Sequence, residues 1–279
     1  MPALRRLHAG RCPEVTEKCL AMPPAEWFYA RANRTGKDRA VMRILMAMMV
    51  ALVPFGAAAQ ELTDDRIKEL ALQAILENPQ IIMEAVAILD EQRNAAEAAA
   101  QAQVLEQQRD FLQNDPNAPV MGSDAPTAVV VEFFDYNCPY CKRAANDVKA
   151  LLATDTDVRV VYREWPILGE GSIFAARAAL AAREQGLYEE MHWALMGLAG
   201  RAEEASVLAA ARQVGLDIDR LLQDMDSEAV TSHLQASQML AQGLGFTGTP
   251  SFVVGDELVG GAVPLEDLEL LLAEARSAN

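Results

Sequence analysis

The stretch Ala128-Val129-Val130-Val131-Glu132-Phe133-Phe134-Asp135-Tyr136-Asn137-Cys138-Pro139-Tyr140-Cys141 passes from strand to helix within fourteen residues. Ala128 to Phe134 is apolar save for Glu132 and rich in β-branched and aromatic side chains, which predicts a buried strand. Pro139 fits the first position of a following helix, where its missing N–H costs nothing and its φ is already helical. Cys138 then falls at the helix cap, where unpaired backbone N–H groups and the helix dipole favour a thiolate. Such settings bring a cysteine pKa to about 3.5–7.5. Cys141 lies one turn on, on the same face at about 5–6 Å, close enough for a disulfide. The pattern predicts Cys138 as the exposed, attackable sulfur and Cys141 as the more buried, resolving one.

Two plainer readings compete with redox chemistry. Half a zinc site needs two more ligands, and beyond residue 59 the histidines are His192 and His233. An inert disulfide across four residues closes little chain entropy and would stabilise the fold weakly. The strand before and the helix after favour a reactive pair, with neither metal nor organic cofactor required.

Outward from this segment, a helix is expected from Pro139 to about Leu152 and a second strand near Val158–Arg163. Residues 172–243 are helical in pattern throughout. Ser251–Val254 and Glu257–Val259, joined by Gly255-Asp256, read as a hairpin. Pro264 to Ala275 closes the chain as an amphipathic helix. His192, His233, Trp165 and Trp193 are placed in this helical block and read as filler of core or surface, with Trp193 the one candidate to line a peptide groove.

Towards the N-terminus, Asn114-Asp115-Pro116-Asn117-Ala118-Pro119 is a breaker-rich linker, taken as 114–127. Before it, Thr63-Asp64-Asp65 caps a short helix, and Asn78-Pro79 starts a longer one running to about Leu112. Ile81, Ala85, Ile88, Gln92, Ala95, Ala99 and Ala102 form a seam that weakens towards alanine. A long alanine-rich seam needs a partner to be buried, so residues 60–113 are expected to be an oligomerisation arm.

Met42-Arg43, the apolar run Ile44–Phe55 and Ala57-Ala58-Ala59 have the layout of a secretory signal peptide cut after Ala59. The run is too short for a membrane span of about 20 residues. Residues 1–59 are therefore expected to be a removed leader. The full chain has 279 residues, 51% apolar and 23% charged, a globular composition. Its 24 basic and 40 acidic residues give −16; residues 1–59 hold nine and four of them, leaving 15 against 36, a net −21. So acidic a chain is a poor partner for nucleic acid. Cys12 and Cys19 go with the leader, which leaves a single pair in an exported, oxidising setting.

The segment Glu132 to Cys141 resembles the active site of DsbA-type thiol–disulfide oxidoreductases. Thr249-Pro250, just before a strand, resembles the cis-proline loop of thioredoxin folds, and the helical block between the strands resembles the DsbA-type insertion. The arm with Leu76-Glu77-Asn78-Pro79 is similar to that of the ScsC-like subgroup, whose members can oligomerise through it. The resemblance implies an α/β thioredoxin fold over 128–279, with a helical insertion at about 170–243. It implies that Glu132 is a buried acid relaying the Cys141 proton. It also implies that Pro250 is cis, so that the Thr249 backbone, with Pro139 and Tyr140, meets an extended substrate segment. Thr249 before the proline is closer to isomerase-type members, and Tyr140 stands where the main oxidases carry histidine.

The expected function is thiol–disulfide exchange on unfolded or mispaired exported proteins, recharged by an unidentified membrane redox partner. The competing expectation, from a different class, is an oligomeric periplasmic chaperone or a protein holding Cu(I) through the two sulfurs.

Overall fold

The structure, a computed structural model, describes residues 63–278; the leader, its cleavage after Ala59 and the first two cysteines lie outside the described residues. In chain order the helices are α1 (Asp64–Glu77), α2 (Gln80–Asn114), α3 (Pro139–Thr154), α4 (Glu170–Ala182), α5 (Tyr188–Met196), α6 (Glu204–Gln213), α7 (Ile218–Asp224), α8 (Glu228–Gly243) and α9 (Leu265–Ala278). The strands are β1 (Val120–Gly122), β2 (Ala128–Phe134), β3 (Val158–Glu164), β4 (Ser251–Val254) and β5 (Glu257–Gly260).

β2 is the middle of a five-stranded sheet of order β1-β3-β2-β4-β5. It pairs parallel with β3 and antiparallel with β4, which sets Glu132 opposite Tyr162 on one side and Phe252 on the other. Its side chains alternate between two cores. Val130 and Phe134 join Val160, Tyr162, Phe252 and Val254 on one face. Val131 and Phe133 join Val161 and Val253 on the other. Both faces are covered, which is why the strand reads as one apolar run rather than an alternating one.

The first face is covered by α3, α9 and much of the helical insertion. α3 buries Cys141, Ala144, Ala145, Val148 and Leu151, spaced by threes and fours as one helical stripe requires. From α9 come Leu268 and Leu272. Leu240 and Ala241 of α8 and Leu244 at its C-terminal cap cover the opposite face, together with Leu105 and Leu112 of α2. The insertion is five helices, α4 to α8, and three of its starts are capped by side chains. Asp217 accepts from the Arg220 N–H, Ser227 accepts from the Val230 N–H, and Glu203 and Ser206 form a capping box.

Three expectations are corrected. Residues 114–127 are more than a linker, because β1 lies within them and pairs antiparallel with β3, Val120 opposite Val161. A three-residue edge strand is too short to show a period of two. Nor does the helix before it end at the edge of the α/β body. α2 has 35 residues and would extend about 50 Å. Its last turns are part of the sheet's second core, whereas Ile81, Ile82, Met83, Val86, Ile88 and Leu89 are exposed. The join is held by Arg163, fully buried, whose Nη1 donates to Asp115 at 2.6 Å and whose Nη2 donates to the Phe111 carbonyl. Finally, Trp165 stands outside the helical block: it follows β3, donates its backbone N–H to Phe134 O, and packs edge-on against Phe133.

The chain falls into two units, 1–69 and 70–279. Of the first, the described residues 63–69 are the exposed opening of α1, where Arg66 pairs with Glu69 at 2.7 Å.

Candidate redox site

Where β2 stops, the next three residues are each tied down. Asp135 Oδ1 accepts the N–H of Asn137 at 2.7 Å, and Oδ2 accepts those of Ile167 and Leu168 at 2.8 and 2.9 Å. Tyr136 turns inward, its hydroxyl donating to Glu164 Oε1 at 2.9 Å and lying 3.1 Å from His192 Nδ1. The carboxamide of Asn137 is buried against Ser172 and Ala202. The Cys138 N–H closes this turn on Asp135 O at 3.0 Å. Cys138 is the N-cap of α3, in extended conformation, with Pro139 next. The N–H groups of the first turn therefore have no helical acceptor and face its sulfur.

Both cysteines of the pair are free thiols. The Cys138 thiol is held down to about 5, first by its hydrogen bond with the Cys141 thiol; burial opposes this, and the Thr249 side chain and the N–H groups of Cys141 and Tyr140 assist. Burial drives Cys141 far the other way, and its bond to Cys138 raises it further. One sulfur is thus poised as a thiolate at neutral pH and the other as a thiol. Cys138 is less open than the sequence implies. It keeps 4% of its surface accessible and Cys141 none. The Thr249 carbonyl lies 3.1 Å from the Cys138 sulfur and accepts from the protonated thiol. The Thr249–Pro250 peptide is cis.

Glu132 is the lone acid on β2 and 1% exposed, with Oε1 lacking any hydrogen-bond partner. Burial raises its pKa to about 8, and its charge opposes ionisation of Cys141. Pro139 and Tyr140 are on the surface beside Cys138, the Tyr140 ring lying 4.6 Å from the Arg143 guanidinium. The structure thus brings Cys138, Cys141, Glu132, Pro139, Tyr140, Thr249 and Pro250 into one neighbourhood.

Some residues of the neighbourhood escape a reading of the sequence. Glu164 ends β3 fully buried, and its Oε1 accepts from both Tyr136 and Tyr188, the latter at 3.1 Å. Burial raises the Glu164 pKa and keeps the imidazole of His192 neutral, at about 3. His233 is neutral for the same reason: its Nε2 accepts the Glu164 N–H at 3.2 Å. Both histidines therefore do more than fill space. An Asp-x-Asn pair just before a helix is a turn signal that could have flagged Asp135 and Asn137; Glu164 carries no local signature. Trp193 is half-buried, with its indole N–H on Glu189 at 3.3 Å. Among the described residues no three His, Cys, Asp or Glu side chains converge as a metal site.

The DSBA-like thioredoxin domain model matches residues 129–273. The crystal structure of a thioredoxin-like oxidoreductase from Silicibacter pomeroyi is 60% identical, covering 61% of this chain and 99% of that one, with a TM-score of 0.61. Proteus mirabilis ScsC in a transitional conformation is 29% identical over 80% of this chain and 99% of its own, TM-score 0.59. Among curated proteins, the Na(+)/H(+) antiporter NhaA 3 of Salinispora tropica is 31% identical over 169 residues. That match takes in 60% of this chain but spans only 25% of the antiporter's length. The fold is a thioredoxin fold with a helical insertion and an N-terminal helical region, and the chain belongs to the DSBA-like thioredoxin domain family.

Proposed function

We propose that this protein is an exported thiol–disulfide oxidoreductase, periplasmic after loss of a leader at Ala59, acting on unfolded or mispaired proteins. The observation that carries the reading is the opposition of the two sulfurs: Cys138 low at a helix start and Cys141 high beneath it. In the reducing or isomerising direction the Cys138 thiolate attacks a substrate disulfide. The substrate S–S bond breaks, a Cys138–substrate mixed disulfide forms and one substrate thiolate leaves. Cys141 then gives up its proton, attacks the Cys138 sulfur and frees the second substrate thiol. The substrate gains two electrons and the pair loses them. In the oxidising direction the same steps run backwards, with a membrane redox partner restoring the disulfide.

Glu132 is suited to hold the Cys141 proton, because its pKa of about 8 lies near the working pH. Thr249, beside Cys138 and before the cis Pro250, offers its backbone to an extended substrate segment. Pro139 and Tyr140 border that approach. The exposed apolar residues of α2 between Ile81 and Leu89 support self-association through the arm, 61–113.

Insulin reduction and refolding of scrambled ribonuclease test the activity. Cys138→Ala is expected to fall to the uncatalysed rate in both; a variant as fast as the parent would sink the enzyme reading.

For Glu132 the sign follows from its raised pKa. The unfolded carboxyl titrates near 4.3 and the folded one near 8, so the native state binds more protons between them. The group therefore supports folding below about pH 4 and costs stability as the pH climbs to 8. Glu132→Gln should flatten that slope, gaining on the parent by about 4 kcal/mol from pH 4 to pH 8 as an upper figure. Denaturant unfolding at both pH values measures it; parallel pH profiles for the two proteins would contradict a buried, high-pKa Glu132.

For the arm, light scattering should give a multiple of the monomer mass, and deleting residues 61–100, which spares the packed turns of α2, should give a monomer. A full-length chain that is already monomeric ends the idea.

A further inference from the structure

Two polar side chains on either side of Cys138 have no part in the chemistry above. Asn137 directly precedes it. Its Nδ2 donates to Ser172 Oγ at 3.1 Å and to Ala202 O at 3.0 Å, while its Oδ1 accepts the Ala202 N–H at 2.7 Å. One carboxamide thus pairs with both backbone groups of a single residue, as a neighbouring strand would. Lys142 follows Cys138 by one helical turn. Its Nζ donates to Leu198 O and Gly200 O, each at 2.8 Å, and among the described residues no carboxylate pairs with it.

Together the two side chains grip the carbonyls of residues 198, 200 and 202 in alternation. That segment is itself seated firmly. A Cβ on Gly171 would come within 2.2 Å of Ala202 O, so the Ala202 carbonyl fits only against glycine. Arg201 donates to Leu168 O at 3.0 Å, and the Leu168 N–H is held in turn by Asp135. The bonds make a closed circuit from the active-site turn, through the loop after β3, to the 198–202 segment and back.

A helix start favours a thiolate only while its free N–H groups stay aimed at the sulfur, an effect that fades within the first turn. Side chains that fix that turn at both ends keep the aim. We propose that Asn137 and Lys142 are positioning residues that pin the first turn of α3 to the 198–202 segment, so that its open N–H groups remain directed at the Cys138 sulfur. The proposal rests on the redox reading above, since the aim matters only to a reacting sulfur. The titratable groups facing Cys138 are Cys141 on its own helix and, below that, Glu132 on β2; the Thr249 loop brings none.

The test is the pH dependence of iodoacetamide alkylation at Cys138, located by peptide mass, in the full chain with Asn137→Ala, Lys142→Met and Lys142→Arg. Asn137→Ala and Lys142→Met should each raise the Cys138 midpoint by about one pH unit. Lys142→Arg keeps N–H donors for the carbonyls and should stay near the parent. Tryptic cleavage after Arg201 should quicken in the first two variants and not in the third. A midpoint that does not move in folded Lys142→Met, or one that moves without faster cleavage at Arg201, overturns the proposal; Lys142→Met decides alone if Asn137→Ala does not fold. A parent midpoint near the ordinary cysteine value of about 8.5 would instead overturn the redox reading itself.

Discussion

The site depends on one electrostatic constraint: a sulfur at the open end of a helix, close enough for unpaired backbone N–H groups to stabilise its thiolate. Cys138 meets it because β2 delivers the chain to the edge of the sheet and Pro139 starts α3 without needing a partner for its nitrogen. The position is then fixed from several sides. Asp135 holds the loop after β3, Tyr136 is anchored in a buried polar cluster, and Asn137 is bound to the insertion. The helical insertion thereby forms part of the mould in which the redox turn is set.

The second requirement is asymmetry. Two thiols in one turn differ only if their surroundings differ, and here burial supplies the difference. Cys138 keeps its hydrogen-bond donors near the surface, while Cys141 lies in the core above a carboxyl that burial also keeps protonated. Desolvation raises the pKa of an acid whose charge nothing nearby neutralises, so the same apolar packing that stabilises the sheet sets the proton affinity of Glu132. Glu164 is under the same pressure on the next strand, but two tyrosine hydroxyls partly relieve it.

Much of this is legible from residues alone, because the signals are local. The apolar run of β2, the proline after Cys138 and the hairpin at Gly255-Asp256 each act over a few residues. The cysteine pair, with its strand and helix, needs only that much context. What stays hidden depends on contacts distant in sequence. β1 is too short to show a period, and its pairing with β3 is decided by the sheet. The end of α2 reads as arm, because only the folded chain brings Leu105 and Leu112 against Leu240 and Phe133. Glu164 and Lys142 look like ordinary charged residues until the insertion folds over them. The contact of Cys138 with Thr249 joins residues 111 positions apart.

The redox reading requires Cys138 and Cys141 to form one reversible dithiol–disulfide couple. Equilibrating the protein against graded mixtures of reduced and oxidised glutathione, with acid quenching and thiol counting by mass, tests it most directly. A single two-electron transition between a free dithiol and an internal Cys138–Cys141 disulfide is expected. Thiols that stay free across the whole range, or that stop at a stable glutathione adduct on Cys138, would contradict it.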